Sequence, residues 1–119
     1  NPSKTCLFSL EERRQMTEEA VKEFGNVQID SFSGLLADYV NDNGFNIVVK
    51  GLRNSTDFDY EMQMAQINAR LFNEMVETVI LMTDPEYSFI SSSMVKEVFS
   101  LGGNIEGLVP DEILKKMSK

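Results

Sequence analysis

Hydrophobic positions along the chain follow two spacings, one typical of amphipathic helices and one typical of short strands. After residue 9, apolar side chains recur at roughly helical spacing, and Ser9-Leu10-Glu11-Glu12 has the form of a capping box. Gly25-Asn26 is expected to end this first helix. Short apolar runs then predict three strands, at residues 27–32, 45–49 and 76–82. The last run is apolar on both faces, which is typical of a buried parallel strand.

Helical patterns separate the predicted strands and follow the last one. They cover residues 35–40, about 55 to 72, and 94–101, and a short helix is predicted after Pro110. This alternation predicts parallel βαβ units in a three-layer α/β fold, with residues 1–119 forming a single domain. In such sheets, ligands bind at the carboxyl ends of the strands.

Composition narrows the class of protein. The formal net charge of -8 over 119 residues argues against a nucleic-acid partner, because no basic stripe is present. Cys6 is the only cysteine, which excludes a disulfide framework and favours a reducing, cytoplasmic compartment. No apolar run approaches the length of a membrane span, so no membrane association is expected. The chain has no histidine, the commonest general base and metal ligand.

Three consecutive serines, Ser91, Ser92 and Ser93, stand where the helix predicted at 94–101 begins. Hydroxyls and unsatisfied backbone N–H groups at a helix start favour an anion, and a nucleotide phosphate is the natural candidate. The alternative is a helix N-cap, for which one serine would suffice.

Cations also follow the predicted strand ends. Lys4 stands in the opening loop, and Lys50 and Arg53 follow the second predicted strand. Together with the serines they would form a clamp for a polyphosphate, which accelerates group transfer by positioning and charge neutralisation. A single lysine or arginine in such a position is more often a solvated surface charge. Arg53 could also pair with Asp57 or Asp59 instead.

Several stretches resemble the bacterial phosphopantetheine adenylyltransferase family in the order in which that family has them. They are Asn1-Pro2-Ser3-Lys4, Leu7-Phe8-Ser9-Leu10-Glu11-Glu12-Arg13, Phe32-Ser33-Gly34-Leu35-Leu36, Gly51-Leu52-Arg53, Asp57-Phe58-Asp59-Tyr60-Glu61-Met62-Gln63-Met64, Ser88 to Ser93 with Val95-Lys96-Glu97-Val98, and Gly102-Gly103 with Leu108-Val109-Pro110.

The resemblance implies a Rossmann-like nucleotidyltransferase fold and the penultimate step of coenzyme A synthesis. In that reaction ATP and 4′-phosphopantetheine give dephospho-coenzyme A and pyrophosphate. Magnesium is expected to arrive with ATP, because the acidic residues show no metal-ligand spacing. The resemblance also implies a homohexamer, and binding of coenzyme A would separate this family from its relatives.

The resemblance further implies a role for each matching residue. Lys4 would bind substrate and stabilise charge at the reacting phosphates, and Arg53 would grip the ATP phosphates. Leu36 and Lys50 would contact phosphopantetheine. The positions matching the ATP-binding segments are Gly51, Leu52, Arg53, Glu61, Tyr87, Ser88, Phe89, Ile90, Ser91, Ser92 and Ser93.

Two departures from the family pattern qualify these expectations. Lys50 stands where the family usually has arginine, so a planar, two-pronged grip becomes a point charge. The family's Gly-x-Phe-Asp-Pro-x-Thr-x-Gly-His segment, which carries its catalytic histidine, would precede Asn1, and we expect an N-terminal strand-helix-strand to be missing. Two alternatives therefore stay open: a related nucleotidyltransferase with another phosphorylated acceptor, and an inert fragment that only binds ligand.

Overall fold

The computed structural model describes residues 5–118, in which helices and strands alternate. Within that range the elements are α1 (Leu10–Val21), α2 (Leu36–Asp42), β1 (Ile47–Leu52), α3 (Ser55–Leu71), β2 (Glu77–Met82), α4 (Ser92–Ser100) and α5 (Asp111–Met117), with a short 3₁₀ turn at Pro85–Tyr87.

Strands β1 and β2 pair in parallel and are joined by α3, so they form one βαβ unit. The register runs from Ile47 opposite Glu77 to Leu52 opposite Met82. The Thr83 N–H continues the ladder by donating to the Leu52 carbonyl at 2.8 Å. Both strands therefore end at the same edge of the sheet. The predicted α/β class with a parallel sheet is confirmed.

The predicted strand at 27–32 is wrong, because these residues form no strand ladder. Val27 and Phe32 are exposed. A strand needs a neighbour to satisfy its backbone groups, and among the described residues β1 and β2 pair only with each other. For the same reason β2 is not buried on both faces: its positions alternate between half-buried and exposed before the final exposed residue.

Helix α1 begins as predicted and ends early. The Ser9 N–H donates to Glu12 Oε1, and the Glu12 N–H donates to Ser9 Oγ, both at 3.1 Å, so the capping box is confirmed. The helix ends at Val21 rather than at Gly25-Asn26, which instead lie in a separate turn. Across residues 5–118, no helix combines the length and apolar character needed to cross a membrane.

The chain divides into two compact units. One consists of the described residues up to 32 and from 90 onward, and the other is Ser33–Phe89. In the first unit, Val95, Ile105 and Met117 form a buried cluster. In the second unit, the buried side chains include Ala37, Val40 and Leu52. The expectation of a single domain over residues 1–119 stays a prediction.

Candidate active site

The end of β1 carries the two predicted phosphate-binding cations of the Ser33–Phe89 unit. Leu52 is fully buried and anchors the strand end, whereas Lys50 and Arg53 are half-buried. Alternation of side chains along a strand places Lys50 and Leu52 on the same face. Gly51 lies between them on the opposite face, and a Cβ added there would meet no heavy atom within 4 Å.

Arg53 is held by the carboxylate of Asp57, four residues further on. Its Nε donates to Oδ2 at 2.9 Å and its Nη2 donates to Oδ1 at 3.2 Å, which is a two-pronged contact. The Arg53 backbone N–H also donates to Asp57 Oδ2 at 3.2 Å. Asn54 begins this local structure, because its side-chain oxygen caps α3 by accepting from the Asp57 N–H at 2.9 Å.

Lys50 has a different partner on the same helix. Its Nζ lies 3.7 Å from Oε2 of Glu61, which follows Asp57 by one helical turn. The side chains of Lys50 and Glu61 are only 35% and 22% exposed, so both partners are half-buried. The first two turns of α3 therefore present two carboxylates, each paired with one cation from the end of β1.

The segment after β2 turns at once. Asp84 caps the 3₁₀ turn by accepting from the Glu86 N–H at 3.0 Å, and Ser88 Oγ donates to the Pro85 carbonyl at 3.0 Å. Tyr87 and Phe89 are exposed. Because β1 and β2 end at one edge, this turn and Arg53 both follow that edge, as the sequence predicts.

Ile90 and the three serines belong to the other unit. Ser91 is the N-cap of α4, with its Oγ accepting from the Met94 N–H at 3.2 Å and lying 3.3 Å from Ser93 Oγ. Ser92 and Ser93 are exposed in the first turn. Ser91 thus caps the helix, as the alternative interpretation predicts, and Ser92 and Ser93 lie beside the positive end of the helix dipole.

The two other predicted site residues are Leu36 and Lys4. Leu36 is the first residue of α2 and is half-buried. Lys4 lies outside the described residues. The described residues therefore bring together Lys50 with Glu61 and Arg53 with Asp57.

In the sequence, pairing of Arg53 with Asp57 or Asp59 is only the alternative to phosphate binding, although the four-residue spacing beside an asparagine cap favours the contact with Asp57. The Lys50–Glu61 pair is not predicted from the sequence, because ten residues separate the strand position from the helix position and no local pattern links them. Among residues 5–118, no cluster of three or more histidine, cysteine, aspartate or glutamate side chains could hold a metal ion. What the described residues of the site offer is two cations, each paired with a carboxylate.

A family model described as cytidylyltransferase-like matches residues 1–98. The match agrees with the parallel βαβ unit and with cations at its strand end. It defines the chain's class as a nucleotidyltransferase of the cytidylyltransferase-like type.

Similar proteins identify the family within this class. A phosphopantetheine adenylyltransferase from Alkaliphilus oremlandii is 49% identical over 118 residues, which is 99% of this chain and 74% of that protein. A protein of the same name from Clostridium tetani is 47% identical over 100% of this chain and 74% of its own length. Another from Dictyoglomus turgidum is 51% identical over 98% of this chain and 72% of its own length. The chain belongs to the phosphopantetheine adenylyltransferase family, as its sequence motifs predict.

Proposed function

We propose that the natural protein containing this chain transfers AMP from ATP to 4′-phosphopantetheine, giving dephospho-coenzyme A and pyrophosphate. The observation that carries this proposal is the identity of 46–51% over nearly the whole chain with relatives named phosphopantetheine adenylyltransferase. This reaction is the penultimate step of coenzyme A biosynthesis.

The cations at the end of β1 support a reaction at phosphates. A phosphate oxygen of 4′-phosphopantetheine attacks the α-phosphorus of ATP in line. The bond from that phosphorus to the oxygen bridging to the β-phosphate breaks, and pyrophosphate leaves with the bonding electrons. No covalent intermediate with the protein forms, so the residues act by positioning and by charge stabilisation.

The residue roles of this proposal follow the family motifs. Arg53 binds the ATP phosphates, Lys50 and Leu36 contact phosphopantetheine, and Lys4 stabilises charge at the reacting phosphates. Glu61 contacts ATP, and its carboxylate lies 3.7 Å from the ammonium of Lys50. The remaining ATP-binding positions are Gly51, Leu52, Tyr87, Ser88, Phe89, Ile90, Ser91, Ser92 and Ser93.

The proposal also covers magnesium, assembly and location. Magnesium arrives bound to the ATP phosphates, because the described residues offer no carboxylate cage for it. The natural protein assembles as a homohexamer in the cytoplasm. Coenzyme A competes with the substrates, since it shares their nucleotide and pantetheine parts.

The first test is pyrophosphate release from ATP and magnesium, measured with and without 4′-phosphopantetheine. The natural protein should release pyrophosphate only when this acceptor is present, and chelation of magnesium should stop the release. Nicotinate mononucleotide and glycerol phosphate serve as control acceptors.

Release with one of those acceptors alone would favour a related nucleotidyltransferase. The 119-residue chain, which contains no histidine, is assayed in parallel. A chain that is silent beside an active natural protein, but still binds coenzyme A, would favour the alternative of an inert fragment that only binds ligand.

A further inference from the structure

We infer that Asp57 is a positioning residue for Arg53, fixing the guanidinium in the orientation that the reacting ATP phosphates require. This inference rests on the proposed function, in which Arg53 binds those phosphates. Asp57 itself touches no reacting atom in this scheme and acts through Arg53.

The geometry around Asp57 carries the inference. One carboxylate accepts from the backbone N–H, from Nε and from Nη2 of Arg53, at distances of 3.2, 2.9 and 3.2 Å. It therefore fixes both the backbone direction and the side-chain plane of the arginine. The carboxylate is itself located by the start of α3, where the Asp57 N–H donates to Asn54 Oδ1.

Such a contact matters because an arginine side chain is long and loses rotamer freedom when it binds a phosphate. A guanidinium that is already oriented loses less freedom, so more of its interaction remains for the transition state.

Asp57 also neutralises part of the charge of Arg53. Its removal therefore has two opposed effects: the cation attracts phosphate more strongly, but it no longer meets the phosphate in one orientation. Ground-state affinity for ATP tolerates several orientations, whereas in-line transfer does not. Positioning thus predicts a loss in kcat with little change in KM for ATP.

The experiment compares Asp57→Asn, Arg53→Ala and the double variant in the natural protein, by steady-state pyrophosphate release. We expect Asp57→Asn to lower kcat about tenfold, within the range that a small misplacement produces, and to change KM for ATP less than threefold. In the double variant, the aspartate substitution should cause no further loss beyond that of Arg53→Ala, because its effect passes through the arginine.

Asp59→Asn is the matched control. Asp59 is exposed on the same helix, and its substitution removes the same charge without touching the contact to Arg53. This variant should keep the parent kcat and KM. Asp57→Glu, which keeps the charge but moves the carboxylate by one methylene, should fall between Asp57→Asn and the parent, and it replaces Asp57→Asn if melting shows that the asparagine variant is unfolded.

Three results would overturn the inference while leaving the proposed function intact: an unchanged kcat in Asp57→Asn, equal losses in Asp57→Asn and Asp59→Asn, or a full additional loss in the double variant. A parent protein that releases no pyrophosphate would overturn both.

Discussion

Lys50 and Arg53 carry the same charge at the end of β1, but their partners hold them differently. The guanidinium of Arg53 meets Asp57 through two parallel hydrogen bonds. The ammonium of Lys50 lies 3.7 Å from one oxygen of Glu61. Since an ammonium is a point charge on a flexible stem, Lys50 is attracted to its partner without being oriented by it.

Lys50→Arg is therefore expected to strengthen binding of the acceptor. A planar guanidinium can make two charge-assisted hydrogen bonds to a phosphate, where the ammonium provides a point charge. One added hydrogen bond of this kind should lower KM for 4′-phosphopantetheine about three- to tenfold. KM for ATP should not change. The measurement is pyrophosphate release with each substrate varied in turn.

Lys22→Arg is the matched control, since Lys22 is an exposed lysine at the end of α1, in the other unit. Its substitution should leave both KM values at the parent level. If Lys50→Arg shifts KM for ATP instead, or shifts neither, the assignment of Lys50 to phosphopantetheine is wrong.

These two ion pairs also differ in whether the local sequence predicts them. Arg53 and Asp57 are four residues apart beside a capping asparagine, so local spacing predicts their contact. Lys50 and Glu61 meet because β1 and α3, which are separate elements, lie in contact. Local patterns of charge cannot specify such a pair.

At the scale of elements, the C-terminal end of α4 has a specific hydrogen-bonded cap. The Gly102 N–H donates to the Phe99 carbonyl at 3.0 Å, and the Gly103 N–H donates to the Val98 carbonyl at 2.8 Å. Gly102 has a φ of 80°. These features define a Schellman motif, which satisfies the last carbonyls of the helix.

Gly103→Ala should destabilise the protein by about 1–3 kcal/mol, the usual cost of an added methyl group in a closely packed place. A Cβ at residue 103 would lie 2.5 Å from Cγ1 and 3.0 Å from the carbonyl oxygen of Val98. The side chain of Val98 is β-branched and packs against the buried cluster, so neither it nor the helix backbone moves away easily. The free energy of unfolding from urea titration measures the effect.

Gly25→Ala provides the comparison, because a Cβ there meets nothing within 4 Å and its φ is not in the left-handed region. This variant should stay within about 0.5 kcal/mol of the parent, as exposed substitutions usually do. Equal stabilities of the two variants would mean that the contact with Val98 relaxes without cost.

Elements with strong local signals were predicted well, whereas of the three predicted strands only the two that pair with each other formed. The capping box of α1, the long α3 and the helix after Pro110 each carry their own start signals. The pattern at 27–32 has the alternation of a strand, but a strand exists only where another strand pairs with it. At the candidate site, the roles of the residues stay predictions from the motifs, and the fold determines which of those residues pair.

For the molecule as a whole, charge and exposed apolar surface oppose each other. The 19 acidic and 11 basic residues give the formal charge of -8 at pH 7. Large apolar side chains are exposed in both units, among them Phe24, Ile47, Val49, Leu81 and Leu101. Repulsion between like-charged molecules keeps such surfaces apart, and it disappears near the isoelectric point of about 4.5.

Lowering the pH toward the isoelectric point should leave α1 folded. Hydrogen bonds from the backbone and side chain of Ser9 hold the pKa of Glu12 below its ordinary value, and the contact with Arg14 lowers the pKa of Glu11. A carboxylate with a lowered pKa in the folded state stabilises that state fully above its unfolded pKa, which is about 4.3 for glutamate. Its contribution is lost only as the pH falls further, through the folded value.

Acidification of the 119-residue chain from pH 7 to pH 3 at constant ionic strength should therefore separate association from unfolding. Light scattering should rise as the pH approaches about 4.5, while the helical circular dichroism signal keeps its neutral value. The part of the helicity that α1 contributes should fall only below that pH, as Glu11 and Glu12 become protonated. Glu12→Gln removes the titration at the capping box, so it should shift the loss of helicity and leave the onset of scattering almost in place. If scattering and loss of helicity coincide in both proteins, unfolding causes the association and charge neutralisation does not.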